Sequence, residues 1–301
     1  MRPAQGPCLE IRLAAAEAII DDWSGAAATS WESVIDGAPF VVERGVDGDH
    51  RFVHGAPPDS EGGPSARTLA IHHLSSDGRL LQCAPTNPTE LYWWRVILDS
   101  VLFTVALLHG YEALHAGAVA TPDGAIAIAA ATGGGKSTLL ATLLGRGLTL
   151  VADDVVVLEA RDSQPLGPTM AHPAPPLMTV PTASIPLMGA TVPPETIATV
   201  SDESWLAVPV YRQSLPLKAL VVLERVPESQ WPAKEPSVSK IENPLMALLS
   251  SLMAFPPTPE RERARFELAS AVASTAGLWR LTARLDTPPD VLADAFLAAS
   301  L

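Results

Sequence analysis

Cysteine is scarce in this chain of 301 residues, with only Cys8 and Cys83 present. A single pair cannot build a disulfide framework of the kind that stabilises small secreted proteins. The sequence also has no CxxC motif and no Cys/His cluster, which argues against a structural zinc site.

Positive charge is scarce as well. There are 20 Lys and Arg against 33 Asp and Glu, so the formal net charge is −13 at pH 7 with His neutral. Nucleic acids and anionic membranes are bound through Lys and Arg that neutralise phosphates. The charge balance therefore predicts neither a nucleic-acid partner nor a membrane partner.

Long apolar runs are missing too. The first 14 residues contain no continuous apolar stretch of the signal-peptide kind. The most apolar segment, Leu91 to Leu108, carries Arg95 and Asp99 and falls short of the ~20 residues that a membrane span needs. We therefore expect a soluble cytoplasmic protein.

The start of this apolar segment has the signals of an ordinary helix. Asn87 can act as N-cap, Pro88 suits the first helical position, and Glu90 lies three residues after the cap. These signals predict a buried helix over residues 88–108.

Hydrophobic residues make up 48 % of the chain and charged residues 18 %, which predicts a folded globular protein. Residues 1–86 are rich in turns, with short strands predicted at 39–43, 51–53 and 69–73. Adjacent His72 and His73 would point to opposite faces of the last of these strands. We expect two parts: an N-terminal β-rich region over 1–86 and a larger domain over 87–301, which carries the motifs described below.

Residues 115–159 predict a compact arrangement of strands and one helix. The runs HAGAVA and AIAIAAA flank the turn residues TPDG, which is typical of an antiparallel hairpin. A helix is predicted over 136–146 with Gly147 ending it, followed by strands at 148–152 and 155–159. Strand, glycine-rich loop, helix and strand in this order indicate a βαβ unit and an α/β fold.

The chain between about 160 and 216 is punctuated by proline, which excludes regular helix through much of it. Irregular stretches of this length are often lids or binding loops. Beyond it we expect a strand at 218–224, helices at 243–255 and 259–276, and a last helix after Thr287 with Pro288 at its first position.

The strongest chemical signal is the segment 130–138, which reads AATGGGKST. It matches the phosphate-binding P-loop pattern GxxxxGKS/T except that Ala130 replaces the first glycine. Glycines let backbone N–H groups wrap around phosphate oxygens, while Lys136 would neutralise the β and γ phosphates and Ser137 would ligate Mg²⁺. The alternative is a glycine-rich turn with a chance GKS. The predicted nucleotide-binding residues are Thr132, Gly133, Gly134, Gly135, Lys136, Ser137 and Thr138.

Two further signals lie near this loop. Asp153 and Asp154 end the strand that follows the helix, where carboxylates beside a P-loop ligate Mg²⁺ or act as a base. Neighbouring residues on an extended chain point in opposite directions, so the two should differ in role; a plain solvated turn is the alternative. In the predicted hairpin, His115 lies opposite Ala130 or Thr132, beside the loop, and a purely structural role for it stays open.

The stretch LHAGAVATPDGAIAIAAATGGGKSTLLATLLGRGLTLVADDVVVLE resembles the catalytic core of the HPr kinase/phosphorylase family. The short segments Ala171-His172-Pro173, Pro216 to Ala219 and Leu223-Glu224-Arg225 extend a similarity to the HPr-kinase-like kinases of peptide biosynthetic clusters, lasso-peptide clusters among them. The resemblance implies an α/β P-loop core of the HPr kinase/PEP carboxykinase type with a mixed sheet.

The resemblance also implies an activity: transfer of the γ-phosphate of ATP, with Mg²⁺, to a serine of a peptide or small protein. Asp153 would be the base, His115 and Lys136 would act with it in catalysis, and Asp154 would join Ser137 at the metal. HPr kinases assemble as oligomers, so a homo-oligomer is implied as well. A small-molecule kinase and a nucleotide-binding regulatory protein without turnover are the alternatives.

Overall fold

The computed structural model describes residues 9–23, 25–35, 37–55, 68–90, 92–159, 167–189, 194–200, 202–231, 233–253 and 258–299. The chain divides into two compact units. Unit 1 comprises residues 1–110 and 254–259, and unit 2 comprises residues 111–253 and 260–301. This division falls after the helical segment that ends near Leu108, whereas the sequence analysis drew its boundary before that segment, at 86/87.

Unit 1 is built on a six-stranded sheet in the order β1-β6-β5-β4-β3-β2. Neighbouring strands are antiparallel except β1 and β6, which are parallel. The strands are β1 (Glu10–Leu13), β2 (Ala26–Ile35), β3 (Ala38–Gly45), β4 (His50–Gly55), β5 (Thr68–Leu74) and β6 (Leu80–Pro85). Helix α1 (Ala16–Asp22) lies between β1 and β2 in the chain.

The three predicted N-terminal strands are confirmed as β3, β4 and β5. They pair because alternating apolar side chains, such as Phe40, Phe52 and Ile71, are fully buried. His72 is buried and His73 lies on the other face, where its Nε2 is 2.7 Å from Asp49 Oδ2. Cys83 is buried in β6, and Cys8 lies outside the described residues.

The predicted helix over 88–108 begins later than expected. Asn87 closes a turn instead, accepting a hydrogen bond from the Thr89 N–H at 3.2 Å and donating to Glu90 Oε1 at 2.8 Å. The helix runs as α2 (Tyr92–Val96), a π-helical turn (Ile97–Val101) and α3 (Leu102–Leu108). The residues predicted to cap the helix therefore form a turn before it. Leu91 lies outside the described residues.

Unit 2 has a nine-stranded mixed sheet, which makes the fold a mixed α/β one. The main order is β10-β8-β9-β16-β12-β11-β7, with β18 beside β16 and β17 beside β18. The pairs β9/β16 and β16/β18 are parallel and the others antiparallel. The strands are β7 (Glu112–His115), β8 (Gly117–Thr121), β9 (Gly124–Ala130), β10 (Thr149–Ala152), β11 (Val155–Glu159), β12 (Met170–Ala171), β16 (Leu215–Val226), β17 (Ser237–Lys240) and β18 (Gly277–Arg284).

Helices cover both faces of this sheet, and strand β9 shows why. Its AIAIAA sequence alternates, so Ile126 and Ile128 enter one buried cluster while Ala125 and Ala127 enter the other. The isoleucine face packs against α4 (Lys136–Gly145) and α7 (Pro289–Ala298). The alanine face packs against α5 (Pro244–Ser251) and α6 (Pro259–Thr275). Small residues on that face allow its helices to approach closely.

Several predicted element ends are confirmed. The hairpin pairs Ala120 with Ala125. Gly147 follows α4 with φ of +93°, a left-handed conformation that glycine adopts without strain. Asn243 caps α5, accepting from the Met246 N–H at 3.4 Å. The last helix is shifted by one residue, because Pro288 is its N-cap and Pro289 its first residue.

Two parts of unit 2 differ from expectation. The proline-rich stretch is ordered where the structure describes it: β13 (Leu177–Pro181), β15 (Glu203–Ala207) and β14 (Glu195–Val200) form a three-stranded antiparallel sheet in that order. A 3₁₀ helix (Thr182–Met188) follows β13 and packs on α4. Strand β18 of the main sheet was not predicted, because Gly277, its first residue, also marks the end of the preceding helix.

No helix in the described part of the chain is both long and apolar enough to cross a lipid bilayer.

Candidate active site

The site forms where two adjacent extended segments both interrupt their strand pairing at neighbouring positions. The chain 112–121 leaves the β7 ladder and enters the β8 ladder at Ala116, and the chain 149–159 does the same at Asp153 and Asp154. The Ala116 N–H donates to the Asp154 carbonyl at 3.1 Å and ties the two breaks together. Polar side chains can therefore emerge from the middle of an otherwise apolar sheet.

The segment Thr132 to Gly135, which we call the glycine loop, joins the end of β9 to α4. Gly135 is the N-cap of α4 with φ of +90°, a conformation that favours glycine. The Gly134 N–H donates to the Ala131 carbonyl at 2.8 Å in a tight turn. The loop leads directly into the positive end of the helix dipole.

Ala130 stands where the P-loop pattern has its first glycine, and the structure shows how it fits. A Cβ built on Gly134 would lie 3.2 Å from the Ala130 Cβ and 2.8 Å from the Ala131 carbonyl oxygen. The missing side chain of Gly134 thus leaves room for the methyl group of Ala130. Ala130 completes β9 as an ordinary strand residue.

Lys136 is the first residue of α4 and is buried. Its ammonium group is ion-paired with the Asp154 carboxylate. Asp154 has φ of +63°, a left-handed conformation that Asp tolerates better than most side chains. The backbone conformation of Asp154 turns its carboxylate toward the start of α4.

Asp153 faces different partners, as the sequence analysis expected for neighbouring carboxylates. Its Oδ2 accepts the Thr179 N–H of β13 at 2.8 Å. Its Oδ1 is shut off from solvent and has no hydrogen-bond partner among the described residues. Burial raises the pKa of Asp153 to about 6; the charge of Lys136 acts in the opposite direction, and that of Asp154 adds to the rise.

His115 reaches this cluster through a pairing that the sequence analysis did not foresee. Strand pairing is interrupted at Ala116, so the β8–β9 ladder ends at Gly117. His115 therefore pairs with Val155 of β11 and not with Ala130 or Thr132. Partial removal from water lowers the pKa of His115, and the charge of Lys136 lowers it further while Asp154 opposes them. The imidazole therefore lies within electrostatic reach of Lys136 and Asp154.

The remaining predicted residues lie along the loop and the first turn of α4. Thr132 and Gly133 are exposed, and Gly134, Gly135 and Ser137 are half-buried. The Thr138 hydroxyl is 3.1 Å from that of Ser184 in the 3₁₀ helix, so this side chain faces the packed side of α4.

Sequence reasoning missed two groups at this site. Thr179 acts through its main-chain N–H, and a backbone contact between distant segments leaves no signal in residue types. Arg225, near the end of β16, approaches the glycine loop: its Nη1 lies 3.5 Å from where a Cβ on Gly135 would be. Arg225 follows the apolar run ALVVL and Glu224; the sequence analysis used it only as part of the Leu223-Glu224-Arg225 similarity and gave it no role at the site.

Hard oxygen donors are present for a divalent cation, namely the Ser137 hydroxyl and the Asp154 carboxylate. Mg²⁺ is usually held by one or two carboxylates together with substrate phosphates and water. Among the described residues there is no cluster of three or more His, Cys, Asp or Glu side chains able to hold a metal by themselves. The donor set fits a Mg²⁺ ion that arrives with phosphates.

Comparisons with known proteins give distant likenesses to solved structures only. No family model matches the chain, and no curated protein does. The solved structure of the Hpr(Ser) kinase/phosphatase from Coxiella burnetii is similar over 62 % of this chain and 93 % of its own, with 14 % sequence identity and a TM-score of 0.33.

Proposed function

We propose that this protein is an ATP-dependent kinase that transfers the γ-phosphate to a hydroxyl group, with a serine of a peptide or small protein as the acceptor. The observation that carries the proposal is the buried Asp153 Oδ1, which has no partner among the described residues and lies beside the paired Lys136 and Asp154. A carboxylate with a raised pKa next to a cation and an anion-binding loop suits phosphoryl transfer.

The nucleotide phosphates bind in the glycine loop, where backbone N–H groups and the N-terminus of α4 attract anions. Lys136 then leaves Asp154 and neutralises the β and γ phosphates. The exchange is favourable because a phosphate oxygen replaces a carboxylate oxygen as the partner of the buried ammonium. Asp154, released from Lys136, becomes available together with Ser137 to hold Mg²⁺, which neutralises developing phosphate charge when bound.

Asp153 is the base in this mechanism. The acceptor hydroxyl donates a hydrogen bond to Oδ1, its oxygen bonds to the γ-phosphorus, and the bond from that phosphorus to the ADP oxygen breaks. The hydroxyl proton passes to Asp153, and ADP leaves with the electron pair of the broken bond. The Thr179 N–H on Oδ2 holds the carboxylate in place throughout. His115, within electrostatic reach of Lys136 and Asp154, helps to orient the reacting groups.

The surroundings of Asp153 support an extended peptide as acceptor. Thr179 pairs with Trp205 inside the three-stranded sheet, but its N–H points to Asp153. β13 is an edge strand of that sheet, and its outer side lies against the base. Its N–H groups on that side are engaged, that of Leu177 with the Pro175 carbonyl and that of Thr179 with Asp153, so an extended peptide there would be held through side chains and carbonyl groups. The resemblance of the sequence to the kinases of lasso-peptide clusters supports the same acceptor class.

The test uses the full chain with ATP and Mg²⁺ against serine-containing peptides, small proteins, sugars and free amino acids, followed by mass spectrometry. We expect phosphate on a peptide or protein serine, formed about 100-fold or more slowly with Asp153→Asn. Phosphate only on a small molecule would replace the acceptor and keep the kinase. ATP binding without transfer or hydrolysis would identify a regulatory nucleotide-binding protein. Failure to bind ATP at all would overturn the proposal.

A further inference from the structure

Arg225 lies on the strand next to β9, at the same edge of the sheet as the glycine loop. Strands β16 and β9 are parallel, with Leu223 opposite Ala130. Arg225 is two residues further along, so it stands level with the chain that leaves β9. The 3.5 Å separation of its Nη1 from the Cβ position of Gly135 places the guanidinium directly against the loop.

Main-chain carbonyls hold the guanidinium in one orientation. Its Nε donates to the Arg284 carbonyl at 2.8 Å, and its Nη2 donates to the carbonyls of Leu285 and Thr287, the latter at 3.1 Å. In the described part of the chain, Nη1 makes no hydrogen bond. The guanidinium is thus held through Nε and Nη2, while the N–H groups of Nη1 lie beside the glycine loop.

No carboxylate in the described residues forms an ion pair with Arg225, although the charge of Asp286 acts on its guanidinium and Glu228 lies three residues further along the chain. Asp286 and Glu228 are both engaged by Arg284, at 2.9 and 2.7 Å. Partial burial lowers the pKa of Arg225, but a guanidinium keeps its charge in proteins. A half-buried cation held by neutral carbonyls is suited to an anionic ligand.

The order of strands decides which part of a ligand Arg225 can meet. In the order β10-β8-β9-β16, Asp153 and Asp154 follow β10 on one side of β9, and Arg225 is on β16 at the other side. If the γ-phosphate lies beside Asp153, the rest of the nucleotide leaves the loop toward β16. The two cations, Lys136 and Arg225, then contact opposite ends of the triphosphate.

We propose that Arg225 binds the nucleoside side of the nucleotide, with Nη1 donating to the phosphate that carries the ribose. This inference rests on the proposed nucleotide binding. It assigns Arg225 to holding the donor nucleotide and not to the transfer step, because Arg225 lies across β9 from the base. Its loss should therefore change affinity and leave turnover at saturation largely intact.

The test compares Arg225→Gln with the parent protein by calorimetry for ADP and ATP, and by thermal shift for inorganic phosphate. We expect dissociation constants for both nucleotides about 10- to 100-fold higher, with kcat at saturating ATP changed less than about threefold. Inorganic phosphate, which can fill the loop alone, should bind nearly as before. Arg225→Lys should restore part of the affinity, since a charge remains without the guanidinium fork. Arg280→Gln, which removes an exposed arginine of β18, serves as the control.

Three results would overturn this inference while leaving nucleotide binding intact: unchanged ADP affinity, a loss of kcat at unchanged affinity, or an equal loss for ADP and inorganic phosphate. The last would show that Arg225 only supports the loop. If the parent protein binds neither ADP nor ATP, the proposed function itself fails, and the calorimetry of the parent protein separates that case from the other three.

Discussion

The Lys136 ammonium is ion-paired with the Asp154 carboxylate, across the gap between the start of α4 and the end of β10. The two residues that the proposed chemistry assigns to phosphate and metal therefore neutralise each other in this structure. The pair holds the buried Lys136 in place, and the desolvation of its ammonium group opposes the attraction to Asp154. In the proposed mechanism, nucleotide binding replaces this ion pair by two contacts, one between Lys136 and the phosphates and one between Asp154 and Mg²⁺.

Replacing Lys136 with alanine should weaken Mg-ATP binding and lower turnover by about 1,000-fold or more, because the β and γ phosphates lose their buried counter-charge. Calorimetry and a transfer assay measure the two effects. Lys218→Ala, which removes an exposed lysine of β16, is the matched control and should behave as the parent protein does. Unchanged affinity together with unchanged turnover would remove Lys136 from the site.

Asp153→Asn should keep ATP binding near normal and lower kcat about 100-fold or more, because the amide cannot accept the hydroxyl proton. With the pKa of Asp153 raised to about 6, kcat of the parent protein should fall as the pH drops below about 6. The variant should lose this dependence. A pH–rate profile of both proteins checks it, and a parent profile that stays flat between pH 5 and 8 would contradict the role as base.

The same substitution should stabilise the protein above pH 6. The pKa of Asp153 is about 6 in the folded protein and 3.8 in the unfolded chain, so the protonated carboxyl favours the folded state. This stabilisation is fully present below pH 3.8 and is lost as the pH rises through about 6. Asparagine avoids this charge and can still accept the Thr179 N–H. We expect a gain of about 1–3 kcal/mol at pH 8 by denaturant unfolding, shrinking at pH 4.5. A lower stability at pH 8 would show that the buried charge is well compensated.

His115→Ala should lower kcat by about 10- to 1,000-fold, less than Asp153→Asn does. Partial removal from water lowers the pKa of His115 and so favours the neutral ring, which suits a role in hydrogen bonding. Steady-state kinetics and thermal unfolding of the variant separate two roles. Normal kinetics with a lower melting temperature would make His115 a structural residue.

Unit 1 should lose stability in acid because it buries histidines in neutral form. Burial lowers the pKa of His72 to about 3 and that of His50 to about 4. Unfolded histidine takes up its proton below about 6.5, so stability is complete above that pH and falls as the pH decreases. His72→Leu should remove about 2 kcal/mol of this loss at pH 5, as measured by denaturant unfolding at pH 5 and 8. An equal pH dependence in both proteins would contradict the assignment.

Local sequence determined much of what surrounds the site. The GGGK segment, the turn residues TPDG and the glycine after α4 act through backbone conformations that depend on a few neighbouring residues, so loop, hairpin and helix end were predictable. The alternation in AIAIAA predicted a strand in the same way. The sequence analysis expected Asp153 and Asp154 to point apart because of an extended chain. In the structure they lie between β10 and β11, and the left-handed conformation of Asp154 gives them different partners; their separate roles stay a prediction.

Only the tertiary structure decided which distant groups meet. His115 was expected beside the loop through the hairpin. In the structure the β8–β9 ladder ends at Gly117 and His115 pairs with Val155 of β11, a partner that lies about 40 residues away in the chain and that the local hairpin pattern could not indicate. Thr179 meets Asp153 through a main-chain N–H, and Arg225 meets the glycine loop because β16 lies next to β9. Such contacts join segments that are far apart in the chain, and their energies come from burial and orientation that no short stretch of sequence contains.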